Sequence, residues 1–379
     1  MSFNQYTWDL YKQTTIGIEM IKYFSDAGGY VLFKDYCPYA NFIPEDLYND
    51  WLENIYCYGV SDYDHPSSLE EAKDLYISLI TLGIRVEGQQ WLPANDFKNM
   101  LGIIQPMSYV LSQFAPEYFF PYLFLCRIFE LNKIADFFNI DLPNIPKRTD
   151  YKGRCMYYWE LCEVFYLFRK ENGLSPADLW SFLYDFAPNN LPSEKIDMPK
   201  PSQVWFIGGR LYQEDKSLES KFWQSSPETK KGDILVHYET SPISAITCIE
   251  ISLTDGVIDP LFRYYGCIYI GNRINIPHIT LKELQTDEYF FKHPLVRKNF
   301  QGVNGWSVNS ENYSELLRMI KTKGFDIEVL PKLYAPTLPK DVIIEYEHDV
   351  EQQLLEPLLN SMGSVSYTHL RAHETRHDL

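Results

Sequence analysis

The sequence predicts an α+β protein with more than one domain, in which an all-α N-terminal domain precedes a β-rich barrel with short inserted helices. Three observations predict this. Apolar residues recur at helical spacing through residues 1–192, a proline-rich stretch then interrupts the pattern, and the apolar period changes to two beyond it. The 379 residues suffice for two or three domains, and 45% hydrophobic residues can fill their cores.

Helical spacing in the first region is clearest over residues 8–24, 69–82, 118–138 and 157–168. Ser175 and Pro176 are the residue types that open a helix, which we predict over residues 177–186. The stretch 168–186 also resembles a helix-turn-helix. Its second helix begins without basic residues to bind phosphates, so we favour ordinary helix packing. Residues 1–192 are therefore predicted to be a helical domain of unassigned role.

A linker at residues 193–202 separates this region from the predicted barrel at 203–330. Period-two patterns predict strands at residues 204–207, 233–239, 245–252 and 264–270. Two helices are predicted between or after them, at residues 280–287 and 310–323, and Gly324 would end the second as a C-cap. A second proline-rich linker, 331–344, leads to a last predicted helix at 349–359.

Charge and cysteine content restrict the class of protein. The chain has a net charge of −17, but residues 201–335 hold 15 Lys and Arg against 16 Asp and Glu, so the predicted barrel is nearly neutral. Local charge governs phosphate binding, so a nucleic-acid partner stays permitted. The seven cysteines form no CxxC pair, and no secretory signal or apolar run of about 18–20 residues is present. We therefore expect reduced thiols in a cytoplasmic protein that does not bind membranes.

The predicted barrel resembles EVE domains of the PUA-like group, which are related to YTH readers. Four segments carry the resemblance: Val204-Trp205-Phe206-Ile207, Phe222-Trp223, Gly232-Asp233-Ile234-Leu235-Val236-His237-Tyr238 and Val303-Asn304-Gly305-Trp306. It covers about a third of the chain. The resemblance implies a PUA-like β-barrel that recognises modified bases or RNA, and several such domains accompany restriction-type nucleases.

A base-binding site needs flat aromatic faces, polar groups at the base edge and cations near the phosphates. The candidate faces are Trp205, Trp223, Tyr238 and Trp306. The candidate edge contacts are Ser225, Ser226, Ser241 and Asn299, and Gly208 and Gly209 permit close backbone approach. The candidate phosphate contacts are Lys230, Lys231, Arg297 and Lys298. Two alternatives stay open at this point: Trp205 is a core residue, and the lysine pair is a solvated turn.

The segment Glu347-His348-Asp349-Val350-Glu351 resembles the opening helix of PD-(D/E)XK nuclease domains, which we place at residues 345–363. The resemblance implies that Glu351, or Glu347, lies near a catalytic Mg²⁺ site. The Asp and Glu-X-Lys residues that would bind Mg²⁺ are absent from this chain, so we expect no metal, cofactor or nuclease activity here. An acidic helix N-terminus also stabilises any helix, which is the alternative interpretation. Residues 364–379 resemble translated sequencing-adapter DNA and are interpreted as an artefact rather than a natural histidine-rich tail.

The leading hypothesis is a reader of modified bases in DNA, within a restriction or defence endonuclease whose catalytic core is missing here. The alternatives are a non-catalytic protein that binds RNA or modified tRNA, and a structural interaction module. The sequence contains neither a phosphate-binding P-loop nor a nucleophile elbow. His237 and His278 lack a ligand spacing, and we interpret both as structural.

Overall fold

The computed structural model describes residues 3–38, 40, 43–192, 198–210 and 220–334. Helices dominate the part before residue 192. They are α1 Gln5–Gln13, α2 Thr15–Asp26, α3 Gly29–Tyr36, α4 Glu45–Cys57, α5 Leu69–Leu82, α6 Phe97–Met100, α7 Ile104–Phe114, α8 Ile128–Phe138, α9 Tyr151–Glu171, α10 Pro176–Ser181 and α11 Ala187–Asn190. A π-helical turn, Phe182–Phe186, joins α10 to α11.

Local signals explain where several of these helices begin. Ser68 caps α5 by accepting a hydrogen bond from the Glu71 amide, and α5 has the bounds that the apolar spacing predicts. Ser175 and Asp178 form a reciprocal capping box at α10, with Pro176 in the first turn as predicted. These starts follow from neighbouring residues alone, which is why the sequence indicates them.

Two expectations for this region are wrong. It is not all-α, because β1 Ile84–Val86 and β2 Gln89–Leu92 form a hairpin whose turn places Glu87 and Gly88 at positive φ. The helix expected over 118–138 begins only at α8, and residues 118–127 are not helical. Pro121 lies in that stretch.

Side chains from other helices satisfy the backbone of this buried, non-helical stretch. Ser108 Oγ accepts a hydrogen bond from the Tyr122 amide at 2.8 Å. The Tyr184 hydroxyl donates to the Pro121 carbonyl at 2.5 Å and accepts from the Leu123 amide at 3.2 Å. Buried backbone groups need such partners, so distant residues rather than local propensity hold this conformation.

The second part of the chain is a curled, half-barrel sheet. Its strands are β3 Val204–Gly209, β4 Ser220–Gln224, β5 Ile234–Glu239, β6 Ala245–Ser252, β7 Val257–Ile258, β8 Gly266–Thr280 and β9 Trp306–Val308. The strand order is β4-β8-β6-β5-β3-β9, with β7 beside β8, and β3 pairs parallel with β5 whereas the other pairs are antiparallel. The mixed α and β composition agrees with the predicted fold class.

Helices cover one face of this sheet. They are α12 Leu281–Thr286, α13 Pro294–Arg297 and α14 Ser310–Thr322. Val204 and Phe206 point into the core beneath these helices, and the alternate residues Trp205 and Ile207 point to the opposite face. We call that opposite face the inner face. Thr280 caps α12 in a capping box. Gly324 follows α14 at positive φ, which is the C-cap that the sequence predicts.

The helical region packs directly against the sheet. Arg154 of α9 is buried, and its Nε donates to the Pro260 carbonyl at 2.8 Å. Asp259 Oδ2 accepts a hydrogen bond from the Cys126 amide at 2.9 Å, and Leu261 belongs to the core of the helical region. The segment between β7 and β8 therefore ties the two parts together.

Among the described residues, no helix has the length and apolar character needed to cross a membrane. Some predictions fall outside these residues: residues 193–197 of the 193–202 linker, the 331–344 linker beyond residue 334, the nuclease-like segment 345–363 with Glu347 and Glu351, and the tail 364–379.

Candidate functional site

The carboxyl end of β3 and strand β4 meet at a tightly packed indole. Trp223 is partly buried, and its ring lies so close to Gly209 that a Cβ there would stand 2.5 Å from the indole Cζ2. A Cβ on Gly208 would stand 2.4 Å from Val303 Cγ1 on the other side of the strand. Both glycines are therefore required for close packing, and Gly209 lets the indole lie directly against the backbone.

Asn304 fixes the orientation of this indole. Its side-chain oxygen accepts hydrogen bonds from the Gly208 amide at 2.8 Å and from Trp223 Nε1 at 3.2 Å. The next residue, Gly305, has a φ of +76°, and a Cβ there would stand 2.6 Å from the Ser226 amide nitrogen. The loop after β4 and the loop before β9 consequently meet beside Trp223. Sequence reasoning did not single out Asn304, although it lies within a segment that carries the family resemblance.

A polar cluster lies next to Trp223 on the inner face. His237 Nδ1 is 3.0 Å from Glu250 Oε2, and Arg273 Nε donates to Glu250 Oε1 at 2.8 Å. His237 and Glu250 are buried, whereas 27% of the Arg273 side chain is exposed. The Trp223 and His237 rings touch edge to face, with centroids 4.7 Å apart. The indole therefore contacts both the Gly209 backbone and the imidazole.

The electrostatics of this cluster favour an ionised carboxylate. Burial disfavours the charge on Glu250, but the hydrogen bonds from His237 and Arg273 and the positive charge of Arg273 outweigh it, and the pKa of Glu250 is lowered. Cys248 is the cross-strand neighbour of His237 and is buried, which raises the pKa of its thiol to about 12. The ligand atoms of His237, Cys248 and Glu250 lie within 4.8 Å of one another, which is also an arrangement that can hold a metal ion.

The predicted aromatic faces are not brought together. Trp205 is only 3% exposed, and its Nε1 donates to Asp233 Oδ2 at 3.0 Å within the inner-face core. Tyr238 is equally buried and stacks on Phe300 with centroids 4.0 Å apart. Trp306 is partly buried but packs on the helix-covered face, opposite Trp223. Trp205 and Tyr238 are therefore packed as core residues, and Trp223 is the candidate face that the site contains.

Of the four side chains predicted to contact a base edge, only two lie beside Trp223. Ser226 is partly exposed beside Gly305, and Ser241 follows Thr240, whose amide donates to the Gly209 carbonyl at 3.1 Å. Both serines thus flank the Trp223 site. Ser225 is buried and bonds Thr229 at 3.0 Å, whereas Asn299 is exposed and its side chain bonds Gln285 at 3.0 Å.

The predicted phosphate contacts are accessible to solvent. Lys231 is partly exposed, and the other three candidates are exposed: Lys230, Arg297 and Lys298. None of the four has an ion-pair partner within the described part of the chain. Lys230 and Lys231 precede β5, whose first residue pairs with the first residue of β3. They therefore lie at the end of β3 away from Gly209, roughly 16 Å along the strand.

Comparisons with protein families, curated proteins and solved structures find little similarity to this chain. No protein-family model matches the sequence, and no curated protein matches it either. Among solved structures, the chain is similar to the NMR structure of Rpa0253 from Rhodopseudomonas palustris, a structural genomics target, with 13% sequence identity and a TM-score of 0.28. The similarity covers 32% of this chain and 94% of that chain. A TM-score of this size supports no statement about fold or function.

Proposed function

We propose that residues 203–330 form a PUA-like domain that binds an unstacked nucleobase against Trp223 and thereby recognises a modified base in DNA. The observation that carries this proposal is the fixed, partly exposed indole of Trp223, held by Asn304 over the Gly208–Gly209 backbone. A flat π face that is already oriented binds a base without first ordering a flexible ring.

Polar groups beside the indole and exposed cations elsewhere on the domain support the same function. Ser226 and Ser241 flank it and can contact a base edge, while the exposed Lys230, Arg297 and Lys298 can contact phosphates. The helical region contributes most of the negative charge of the chain, which would repel long non-specific duplexes. Recognition would therefore depend on the extruded base more than on the phosphate backbone.

Binding of the full chain to labelled oligonucleotides tests this proposal. Fluorescence anisotropy compares plain DNA with DNA carrying one 5-methylcytosine, 5-hydroxymethylcytosine or N6-methyladenine, and with RNA of the same sequence, at several salt concentrations. We expect one modified DNA to bind most tightly. Tighter binding of RNA would instead make the chain an RNA-binding protein.

Trp223→Ala measures the contribution of the indole. Base stacking contributes about 1–3 kcal/mol, so the variant should lose about 5- to 150-fold in affinity for the preferred oligonucleotide. Trp91→Ala in β2 is a matched control, because Trp91 is also partly buried but lies in the helical region. Absence of binding to every oligonucleotide at low salt, or equal affinities of the two variants, would contradict the proposal and leave a structural interaction module.

The same proposal extends to a parent restriction or defence endonuclease. The PD-(D/E)XK resemblance of the segment with Glu347 and Glu351 supports it, and that segment lies outside the described residues. A protein that carries the complete nuclease-like domain should cut the preferred modified DNA only when Mg²⁺ is added. Equal cleavage of modified and plain DNA would show that the nuclease does not depend on recognition of the modified base.

A further inference from the structure

The helical region contains an open cavity that the proposed function does not use. It has a volume of about 340 Å³ and lies between α4, α7 and the loop that follows α4. Ligand pockets typically measure about 300–1,000 Å³, so this cavity has the size for a small molecule. Four of the residues that line it carry aromatic rings: Tyr56, His65, Tyr109 and Phe114.

Helical spacing brings most of these side chains to one place. Leu52 and Tyr56 are four residues apart on α4, and Tyr109 and Gln113 are four residues apart on α7, so each pair lies on one face of its helix. The two helices are joined by the Tyr48 hydroxyl on α4, which donates to an oxygen of α7 at 2.9 Å. The cavity therefore follows from the packing of two regular helices.

The walls of the cavity are held in place by neighbouring groups, while its rim is open to solvent. A Cβ on Gly29 would stand 2.7 Å from both Leu52 Cδ1 and Tyr109 Cδ1, so this glycine lets α3 lie directly against two lining residues. The His65 ring stacks on the Phe114 ring, with centroids 4.1 Å apart and planes inclined by 15°. Tyr56 is 49% exposed and His65 is also exposed, so a ligand can reach the rings from solvent.

The charge around the cavity is negative. Residues 43–66, which include α4 and the loop with His65, contain six Asp and Glu and no Lys or Arg. Helix α7 has no charged residue, and none of the residues that line the cavity is Lys or Arg. A cation is therefore attracted to this part of the surface, whereas an anion such as a phosphate is repelled.

We infer that this cavity binds a small organic cation with a methylated ammonium group, whose charge is stabilised by the aromatic rings and by the acidic residues of α4 and the following loop. The face of an aromatic ring attracts a cation. A quaternary ammonium has no N–H donors and needs no hydrogen-bond acceptors, which suits walls that are mostly apolar. A primary ammonium is strongly hydrated and would lose that hydration without replacement. The inference goes beyond the proposed function, since the cavity lies in the helical region and Trp223 in the sheet.

Isothermal titration calorimetry of the full chain tests this inference. The probe is choline, and its reference is 3,3-dimethylbutan-1-ol, which has the same shape with carbon in place of the charged nitrogen. We expect choline to bind with one-to-one stoichiometry and the alcohol to bind about five- to thirtyfold more weakly, because only the charge distinguishes them.

Tyr56→Ala measures the contribution of one ring. Affinity for choline should fall about two- to thirtyfold, and Tyr56→Phe should retain it because phenylalanine keeps the aromatic face. Tyr58→Ala is the matched control, since Tyr58 is 40% exposed just beyond α4 and does not line the cavity. Both tyrosines are largely exposed, so both alanine variants should fold.

The double variant Glu53→Gln and Asp64→Asn tests the contribution of the acidic residues. Both side chains are exposed, and each is adjacent in sequence to a lining residue. Affinity for choline at low salt should fall about two- to fivefold, whereas affinity for the alcohol should not change.

The outcomes distinguish this inference from its alternatives. No binding of choline up to about 10 mM, equal affinities for choline and the alcohol, or equal losses in Tyr56→Ala and Tyr58→Ala would each overturn it. Dimerisation that Tyr56→Ala abolishes would assign the cavity to a second copy of the chain and also overturn it. Oligonucleotide binding should be the same in Tyr56→Ala as in wild type, so failure of this inference leaves the proposed function standing.

Discussion

Replacing Arg154 with methionine should weaken the junction between the helical region and the sheet. The Arg154 side chain is 1% exposed, and it donates to the Pro260 carbonyl at 2.8 Å and to the Phe262 carbonyl at 2.7 Å. Its guanidinium also lies over the Tyr151 and Tyr265 rings, at 5.4 and 5.2 Å from their centroids. Methionine keeps much of the apolar volume and removes the donors.

The expected loss follows from those contacts. Hydrogen bonds from a charged donor contribute about 1.5–3 kcal/mol each, and two short ones cross the junction beside a longer one to the Arg263 carbonyl at 3.5 Å. Burial lowers the pKa of Arg154, so desolvation of the charge offsets part of this gain. The variant also removes the donor that the Pro260 carbonyl bonds, whereas the Phe262 carbonyl keeps its hydrogen bond from the Tyr265 amide. We expect the free energy of unfolding to fall by about 2–4 kcal/mol.

Urea unfolding at neutral pH, followed by tryptophan fluorescence, measures this loss, and hydrogen exchange locates it. The Cys126 amide, bonded to Asp259, should lose protection in Arg154→Met. Arg169→Met is the matched control, since Arg169 is 5% exposed and bonds the Leu174 carbonyl inside the helical region. A loss below about 1 kcal/mol, or the same exchange pattern in both variants, would refute the reasoning.

Three further changes test other parts of the structure. Asp233→Ala should lower the free energy of unfolding by about 2–4 kcal/mol, because buried Asp233 accepts hydrogen bonds from Trp205 Nε1 and from nearby backbone amides; a urea midpoint equal to that of wild type would contradict this. Iodoacetamide should label Cys57 in the native protein well before the other six cysteines, which are buried, and label all seven after denaturation, as mass spectrometry can count. Glu250→Gln should destabilise the protein at pH 7, and the difference from wild type should narrow as the pH falls below about 4. The folded pKa of Glu250 is lowered, so its contribution is present above the unfolded pKa and is lost as the pH falls through the folded value. A difference that does not change between pH 7 and pH 3 would exclude this linkage.

The candidate site was predicted in part. Trp223, Gly209, Ser226 and Ser241 do lie together. Strands β4 and β3 are not neighbours in the strand order, and the curled sheet brings β4 against the end of β3 and the loops that follow β4 and β5. Trp205 was a weaker candidate for a physical reason. Every residue from 204 to 208 is buried, so the apolar run shows no alternation that would assign one face to a ligand.

Longer elements of the sheet were also predicted only in part. The strand expected at 264–270 extends as β8 to Thr280. The sequence did not predict this extension, because polar and exposed residues beyond Gly271 alternate with apolar ones and weaken the apolar pattern. Strands β4 and β9 are short and were not predicted. Each is stabilised mainly by pairing with a longer neighbour, β8 or β3, which a local pattern does not reveal.

The sequence by itself determined the features that depend on neighbouring residues: the bounds of α5, the capping box at Ser175, the strand at 245–252 and the change from helical to period-two spacing near residue 200. Only the tertiary structure decided which aromatic rings are sealed in the core and which polar groups meet. His237, Glu250 and Arg273 come from three different strands, and cross-strand register alone brings them together. Register depends on hydrogen bonds between distant segments and on which sheet face is buried, so local sequence does not specify it.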